Sequence, residues 1–277
     1  MVINSLNKKS IIDPIKLSKI INSNQLKIID CRWYLKDVEL GKRDYKKNHI
    51  PNAIFFDIEK ITNKSSSLPH MLPTKKLFLK FIEDHGITKK DFIVLYDQVG
   101  FFCSTRVWFL FFLFGFKKLM ILNGGFKYWV EKKLPLKNTF YKKIKKKNDI
   151  KKNTKFLANK EYIKKKIGNN NTVIIDARPR ERFLGYVNEP RKNLKRGNIE
   201  GSINIPYTQI VNKKGQLLSE SKLRKLFKKK IDFEKTSEII CSCGSGITAC
   251  NILFSLNLIG FKNFKLYDGS WAEWGKN

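Results

Sequence analysis

Cys243 opens the run Cys243-Gly244-Ser245-Gly246-Ile247-Thr248. A short β-like run, Glu238-Ile239-Ile240-Cys241, precedes it, and an apolar helical pattern from Ala249 to Leu258 follows. A cysteine at a strand end, then a loop of small residues, then a helix N-terminus, is a place built for a thiolate. The glycines let several backbone N–H groups turn toward one point. The dipole of the next helix adds positive potential there. Both effects favour the thiolate, which is the nucleophilic form. A buried structural cysteine, like Cys241 two residues earlier, is the plainer reading. Gly-Ser-Gly is hard to explain in a core strand, however, and natural in a loop that cradles an anion. Strand alternation puts Cys241 and Cys243 on one face, which raises a Cys-x-Cys metal or redox pair, but no further ligand set accompanies it.

The same loop limits the chemistry. A phosphatase of the Cys-x5-Arg type needs an arginine where Ala249 stands, and a longer loop would put Cys250 there. A phosphate would lose its bidentate guanidinium clamp. Gly244 and Ser245, next to the cysteine, are both neutral. That suits a monoanionic substrate whose carboxylate is bound elsewhere better than a dianion such as thiosulfate.

Two copies of one unit position this loop. Ile28-Ile29-Asp30-Cys31-Arg32 returns 146 residues later as Ile174-Ile175-Asp176-Ala177-Arg178. His49-Ile50-Pro51-Asn52-Ala53-Ile54 returns 149 later as Asn198-Ile199-Glu200-Gly201-Ser202-Ile203. Val94-Leu95-Tyr96-Asp97 matches Ile240-Cys241-Ser242-Cys243, offset 146. Gly115-Phe116-Lys117 matches Gly260-Phe261-Lys262, and Asn123-Gly124-Gly125-Phe126 matches Asp268-Gly269-Ser270-Trp271, both at offset 145. So long a repeat means two domains, not a solenoid. Each copy reads as strand, loop, strand, helix, strand, helix, strand, which implies an α/β fold with a parallel sheet flanked by helices. The expected boundaries are a first domain at 1–138, a basic linker at 139–156 and a second domain at 157–277. In such sheets the reactive group lies beyond the carboxyl end of a strand. Cys243 is there in the second copy. The first copy has Asp97, which cannot act as a sulfur nucleophile, so that copy is expected to be catalytically silent.

Composition sets outer limits. The formal charge of +32, from 56 Lys and Arg against 24 Asp and Glu, invites a nucleic-acid reading. The lysines are spread along the whole chain and no nucleic-acid motif accompanies them, so no nucleic-acid partner is expected. Five cysteines show no secreted-style framework, which fits a reducing cytoplasm. Met1 to Ser10 lacks an apolar signal core, and the longest apolar run, from Val107 to Phe116, is too short to span a bilayer. It reads as a buried helix, and no membrane partner is expected.

The strand-CGSGIT-helix run, with the tandem of a silent and a cysteine-bearing copy, resembles the two-domain rhodanese superfamily over nearly the whole chain. Within it the loop is similar to that of the 3-mercaptopyruvate sulfurtransferases, whereas rhodaneses proper resemble CRKG at this point. The resemblance implies two tandem rhodanese-like domains and an enzyme. That enzyme would move sulfane sulfur from 3-mercaptopyruvate through a Cys243 persulfide to cyanide or a thiol, releasing pyruvate. The backbone N–H groups of Gly244, Gly246, Ile247 and Thr248 would hold the sulfur, and a thiol or thioredoxin-like protein would accept it. No metal or organic cofactor is called for. Arg182 and Arg191, nine apart, fall in the segment where these enzymes carry two substrate-binding arginines. The resemblance also implies a relay of Ser245 and His70 with an acid eleven residues before the histidine. That acid is Glu59 where the family usually has Asp, and Asp57 is the fallback. Arg178, Arg180, His49 and His85 read as structural or rim residues, and Asp268 as a helix cap. A thiosulfate sulfurtransferase and a non-enzymatic sulfur-relay or protein-binding module are the alternatives.

Overall fold

Strand and helix alternate along residues 10–141 and 144–276, which the computed structural model describes. Residues 1–9, Lys142, Lys143 and Asn277 lie outside the described residues, and with them nearly all of the segment read for a signal core and two lysines of the basic stretch. The chain divides into two compact units. The first runs to Asn63 and adds Leu72–Asn153 and Lys213–Leu217. The second comprises Lys64–Met71, Thr154–Asn212 and the chain from Leu218 onward.

The first unit contains β1 (Ile11–Ile12), α1 (Pro14–Ile20), β2 (Leu26–Asp30), α2 (Leu40–Lys47) and β3 (Ala53–Phe55), then α3 (Lys75–Asp84), β4 (Phe92–Tyr96), α4 (Ser104–Leu113), β5 (Leu119–Leu122) and α5 (Gly125–Glu131). All strand pairs are parallel, in the order β1-β5-β4-β2-β3. Strands covered on both faces need continuous apolar runs. Phe92-Ile93-Val94-Leu95-Tyr96 is such a run, and every residue of β4 is buried. In β2 the buried Lys27 is accommodated by its stem, with Nζ donating to Tyr141 Oη at 2.7 Å. Helix α4 takes up most of the longest apolar run and buries all but one of its residues.

The second unit repeats this plan. It contains β6 (Leu157–Ala158), α6 (Lys160–Lys166), β7 (Thr172–Asp176), α7 (Arg180–Phe183) and β8 (Ile203–Asn204), then α8 (Glu220–Lys228), β9 (Glu238–Ser242), α9 (Ala249–Leu258), β10 (Phe264–Tyr267) and α10 (Ser270–Trp274). Its order, β6-β10-β9-β7-β8, is that of the first sheet, and it too is all parallel. The two-residue edge strands β1 and β6 are additions to the sequence reading. They are too short to show a period and exist only through their pairing with β5 and β10.

The repeated Asp-x-Arg is the same device in both units. Arg178 is buried, and its Nε and Nη2 bond Asp176 at the end of β7, while Nη2 also donates to Gly197 O at 2.7 Å. Its guanidinium lies 4.3 Å from the Trp271 ring centre. Arg32 bonds Asp30 and Asn48 O in the same way, 4.1 Å from the Phe126 ring centre. These charges are tolerable inside only because they are paired; breaking such a pair costs about 3–5 kcal/mol. The scaffold role read for Arg178 therefore fits its surroundings, and His49 is likewise a buried structural histidine, with Nδ1 at 2.7 Å from Tyr45 O. His85 is the C-terminal cap of α3. Asp268, by contrast, is not the helix cap: α10 is capped at Gly269, with no side-chain hydrogen bond. The basic stretch follows the first unit as far as Asn153. Asn148 Nδ2 donates to Ile87 O at 2.8 Å, Ile150 is buried, and Asn153 N donates to Leu113 O at 2.8 Å. Among the described residues no helix is long and apolar enough to cross a membrane.

Candidate functional site

In the second sheet β7 and β9 are neighbours, with Asp176 beside Ser242 at their carboxyl ends. The chain leaves β7 toward β8 and leaves β9 toward β10, on opposite sides. This is the switch point where α/β sheets form crevices. The segment after β9 carries Cys243, and the segment after β7 carries the arginines.

The Cys243 loop is pinned at several points. Ser270 Oγ accepts from Cys243 N and Gly246 N, each at 3.1 Å, and donates to Tyr267 O at 2.8 Å. Trp271 N and Ala272 N, in the first turn of α10, donate to Cys243 O and Gly244 O, both at 2.9 Å. Gly246 takes φ +74°, a left-handed conformation that suits glycine. Ile247 and Thr248 carry the chain into α9, their carbonyls accepting from Cys250 N and Asn251 N. Among the described residues the amides of Gly244, Ser245, Ile247 and Thr248 have no acceptor. These donors sit at the N-terminal end of a ten-residue helix, where positive potential gathers. Cys243 itself is 1% exposed. Burial pushes the thiol of its neighbour Cys241 well above the ordinary value, and Cys250 and Cys243 add to the shift.

Ser245 faces His70. Their Oγ and Nδ1 are 3.1 Å apart, and both residues are buried. The segment Lys64–Met71 belongs to the second unit, so this histidine joins the cysteine loop despite lying far before it in sequence. Arg191 Nη2 lies 3.4 Å from Ser245 Oγ and 3.5 Å from His70 Nδ1. A guanidinium can only donate, so one Arg191 nitrogen stands within reach of both Ser245 Oγ and His70 Nδ1.

Arg182 approaches the other side of the cysteine. Its Nη2 lies 3.0 Å from where a Cβ on Gly244 would be, so the absence of a side chain there makes room for the guanidinium. Glu189 Oε1 accepts from Arg182 Nε at 3.2 Å and from Arg178 Nη1 at 2.8 Å, and its Oε2 accepts from Arg182 Nη2. Arg180 is exposed. Glu59 lies in the first unit, where its Oε1 accepts from Trp33 Nε1 at 2.8 Å. Asp57 Oδ1 accepts from Lys60 N at 3.2 Å, in its own turn.

The structure thus gathers Cys243, Gly244, Ser245, Gly246, His70, Arg182 and Arg191 in one unit. Sequence reasoning passed over Ser270 and Glu189. The repeat carried a signal for Ser270, because a serine stands where the first copy has Gly125. Glu189 had no signal beyond lying between the two arginines.

A family model described as the rhodanese-like domain matches residues 13–132 and again 159–277. The chain is 34% identical to the 3-mercaptopyruvate sulfurtransferase of Mus musculus, over 91% of this chain and 86% of that one. It is 31% identical to the thiosulfate sulfurtransferase of Gallus gallus, over 90% and 86%. In structure it resembles SseA from Escherichia coli, described as a 3-mercaptopyruvate sulfotransferase with the rhodanese fold. That match has a TM-score of 0.85 and 32% identity, covering 95% of this chain and 99% of that one.

Proposed function

The chain belongs to the rhodanese family, and we propose that it is a sulfurtransferase that takes sulfur from 3-mercaptopyruvate onto Cys243 and releases pyruvate. One observation carries the choice of donor. Two arginines from a single segment converge on the neutral residues beside Cys243, Arg182 over Gly244 and Arg191 against Ser245. A 2-oxo carboxylate offers what such forks bind.

In this reading Arg182 and Arg191 hold the carboxylate and oxo group. The Cys243 thiolate attacks the substrate sulfur, the sulfur–carbon bond breaks, and its electron pair leaves with carbon as the pyruvate enolate. The proton lost by the substrate thiol passes through Ser245 and His70 to that carbon, giving pyruvate. Cys243 keeps the sulfur as a persulfide anion, with the loop amides of Gly244, Ser245, Ile247 and Thr248 as donors, the Gly246 amide being taken by Ser270. The family resemblance adds Glu59 as the acid behind His70, a role that Glu59→Gln tests. A second thiophile then removes the sulfur in a ping-pong cycle. Cyanide serves in the assay. In a cell the acceptor is a thiol or a thioredoxin-like protein, in a reducing compartment such as the cytoplasm, which the five free, buried cysteines support.

The test is pyruvate release from 3-mercaptopyruvate with cyanide, for wild type and Cys243→Ser, with thiosulfate in parallel. The reading expects turnover that prefers mercaptopyruvate and falls at least about a thousandfold in the variant. A thiosulfate preference would overturn the donor assignment, and a folded protein idle with both donors would point to a sulfur-relay or binding module.

A further inference from the structure

The Glu189 side chain is buried although it carries a charge, with 2% of it exposed. It spends both oxygens on arginines, bridging Arg178 and Arg182. Arg178 is already balanced by Asp176, so the Glu189 charge counts against Arg182. It also occupies the Nε–Nη2 edge of Arg182, which fixes the guanidinium over Gly244. The Arg182 charge beside the cysteine loop is thus offset at its own guanidinium, and Arg191 reaches the loop at Ser245.

We infer that Glu189 is a specificity-determining residue: it positions Arg182 and offsets its charge beside the cysteine loop, which suits a monoanionic 2-oxo thiol donor and disfavours a dianion. The inference rests on the proposed sulfurtransferase reading. Its physical basis is that a dianion gains twice as much as a monoanion from each added positive charge. Neutralising Glu189 therefore favours thiosulfate over mercaptopyruvate, while the neutral loop residues Gly244 and Ser245 stay as they are.

The experiment compares kcat/KM for 3-mercaptopyruvate and thiosulfate, with cyanide as acceptor, in wild type, Glu189→Gln and Glu189→Asp. Gln keeps the shape and loses the charge. The thiosulfate-to-mercaptopyruvate ratio is expected to rise about tenfold, mainly through a lower KM for thiosulfate, as one unit charge a few ångströms away implies. Asp keeps the charge but reaches less far, so the KM for mercaptopyruvate rises while the donor ratio stays near wild type. An unchanged ratio in Glu189→Gln overturns the inference and leaves Glu189 a structural bridge. If that variant does not fold, wild type answers: pyruvate must inhibit competitively at lower concentration than sulfate, and tighter inhibition by sulfate overturns the inference. A wild type idle with both donors, or a Cys243→Ser variant that still turns over, removes the underlying reading and this inference with it. Wild-type turnover with an unmoved ratio removes this inference alone.

Discussion

In the first unit Asp97 follows β4 and turns its carboxylate into its own loop, accepting from the backbone amides of Val99, Gly100, Phe102, Cys103 and Ser104 at 2.6–3.0 Å. In the second unit Cys243 stands at that place after β9, and a hydroxyl from elsewhere closes the loop, Ser270 Oγ accepting from Cys243 N and Gly246 N. The counterpart of Ser270 is Gly125. Both are left-handed, at φ +51° and +60°. That conformation costs a residue with a Cβ about 1–2 kcal/mol, and glycine almost nothing. The frame around the loops is otherwise shared: Phe126 N donates to Asp97 O as Trp271 N donates to Cys243 O, and Lys127 N to Gln98 O as Ala272 N to Gly244 O. The two loops share one purpose. Their amides gather around an anion, and in the first unit a resident carboxylate satisfies them. In the other copy the carboxylate is replaced by a thiol, and a strained serine takes over part of the holding.

Asp97→Ala should have the largest effect. It removes the acceptor of five amides in a buried loop, so stability should fall by at least about 3 kcal/mol in urea unfolding. A loss under about 1 kcal/mol would mean that the carboxylate is not what holds the loop of the first unit. Ser270 gives a smaller effect in two parts. Ala keeps the left-handed strain and loses both amide contacts, a cost of about 2 kcal/mol; Gly loses the contacts but relieves the strain, and should be about 1 kcal/mol more stable than Ala. Both variants should lower kcat/KM by about tenfold, since each frees the loop that carries Cys243. Equal melting temperatures for the two would remove the strain from the account.

The smallest effect concerns the buried thiols. Burial pushes Cys31 and Cys241 well above the ordinary value of 9.0, with neighbouring thiols adding to it and, at Cys31, Asp30 and Asp97 as well. Groups raised in the folded state contribute their full stability below the ordinary value and lose it as pH climbs past it. The unfolded chain has then given up protons that the folded chain still holds. Stability should therefore decline above about pH 9, each thiol accounting for about 1 kcal/mol per pH unit. Melting temperatures from pH 8 to 10 for wild type and a Cys31→Ala/Cys241→Ala variant check this; identical slopes would show that the thiols do not contribute.

Much of this was legible in the sequence because it was written twice. The offsets between the Asp-x-Arg blocks, the Cys243 and Asp97 positions and the glycine-aromatic turns predict two parallel α/β sheets, and both sheets share one strand order. The helix read from Ala249 to Leu258 is α9. What the sequence hid has physical reasons. Two-residue edge strands have no period to read. Asp268 looked like a cap by residue type, but the helix begins after Gly269. His70 sits in an irregular loop, and only the fold shows that residues 64–71 group with the cysteine loop. Nothing in the sequence marked Glu189, because its place between Arg178 and Arg182 depends on contacts that no spacing rule encodes.

The most direct test of the account is to locate the sulfur. The protein is incubated with 3-mercaptopyruvate without acceptor, capped, digested and examined by mass spectrometry. One added sulfur atom is expected on the peptide holding Cys243, none on those holding Cys31 or Cys103, and it should be lost when cyanide is added. Sulfur on a first-unit cysteine, or pyruvate released with Cys243 unmodified, would contradict it.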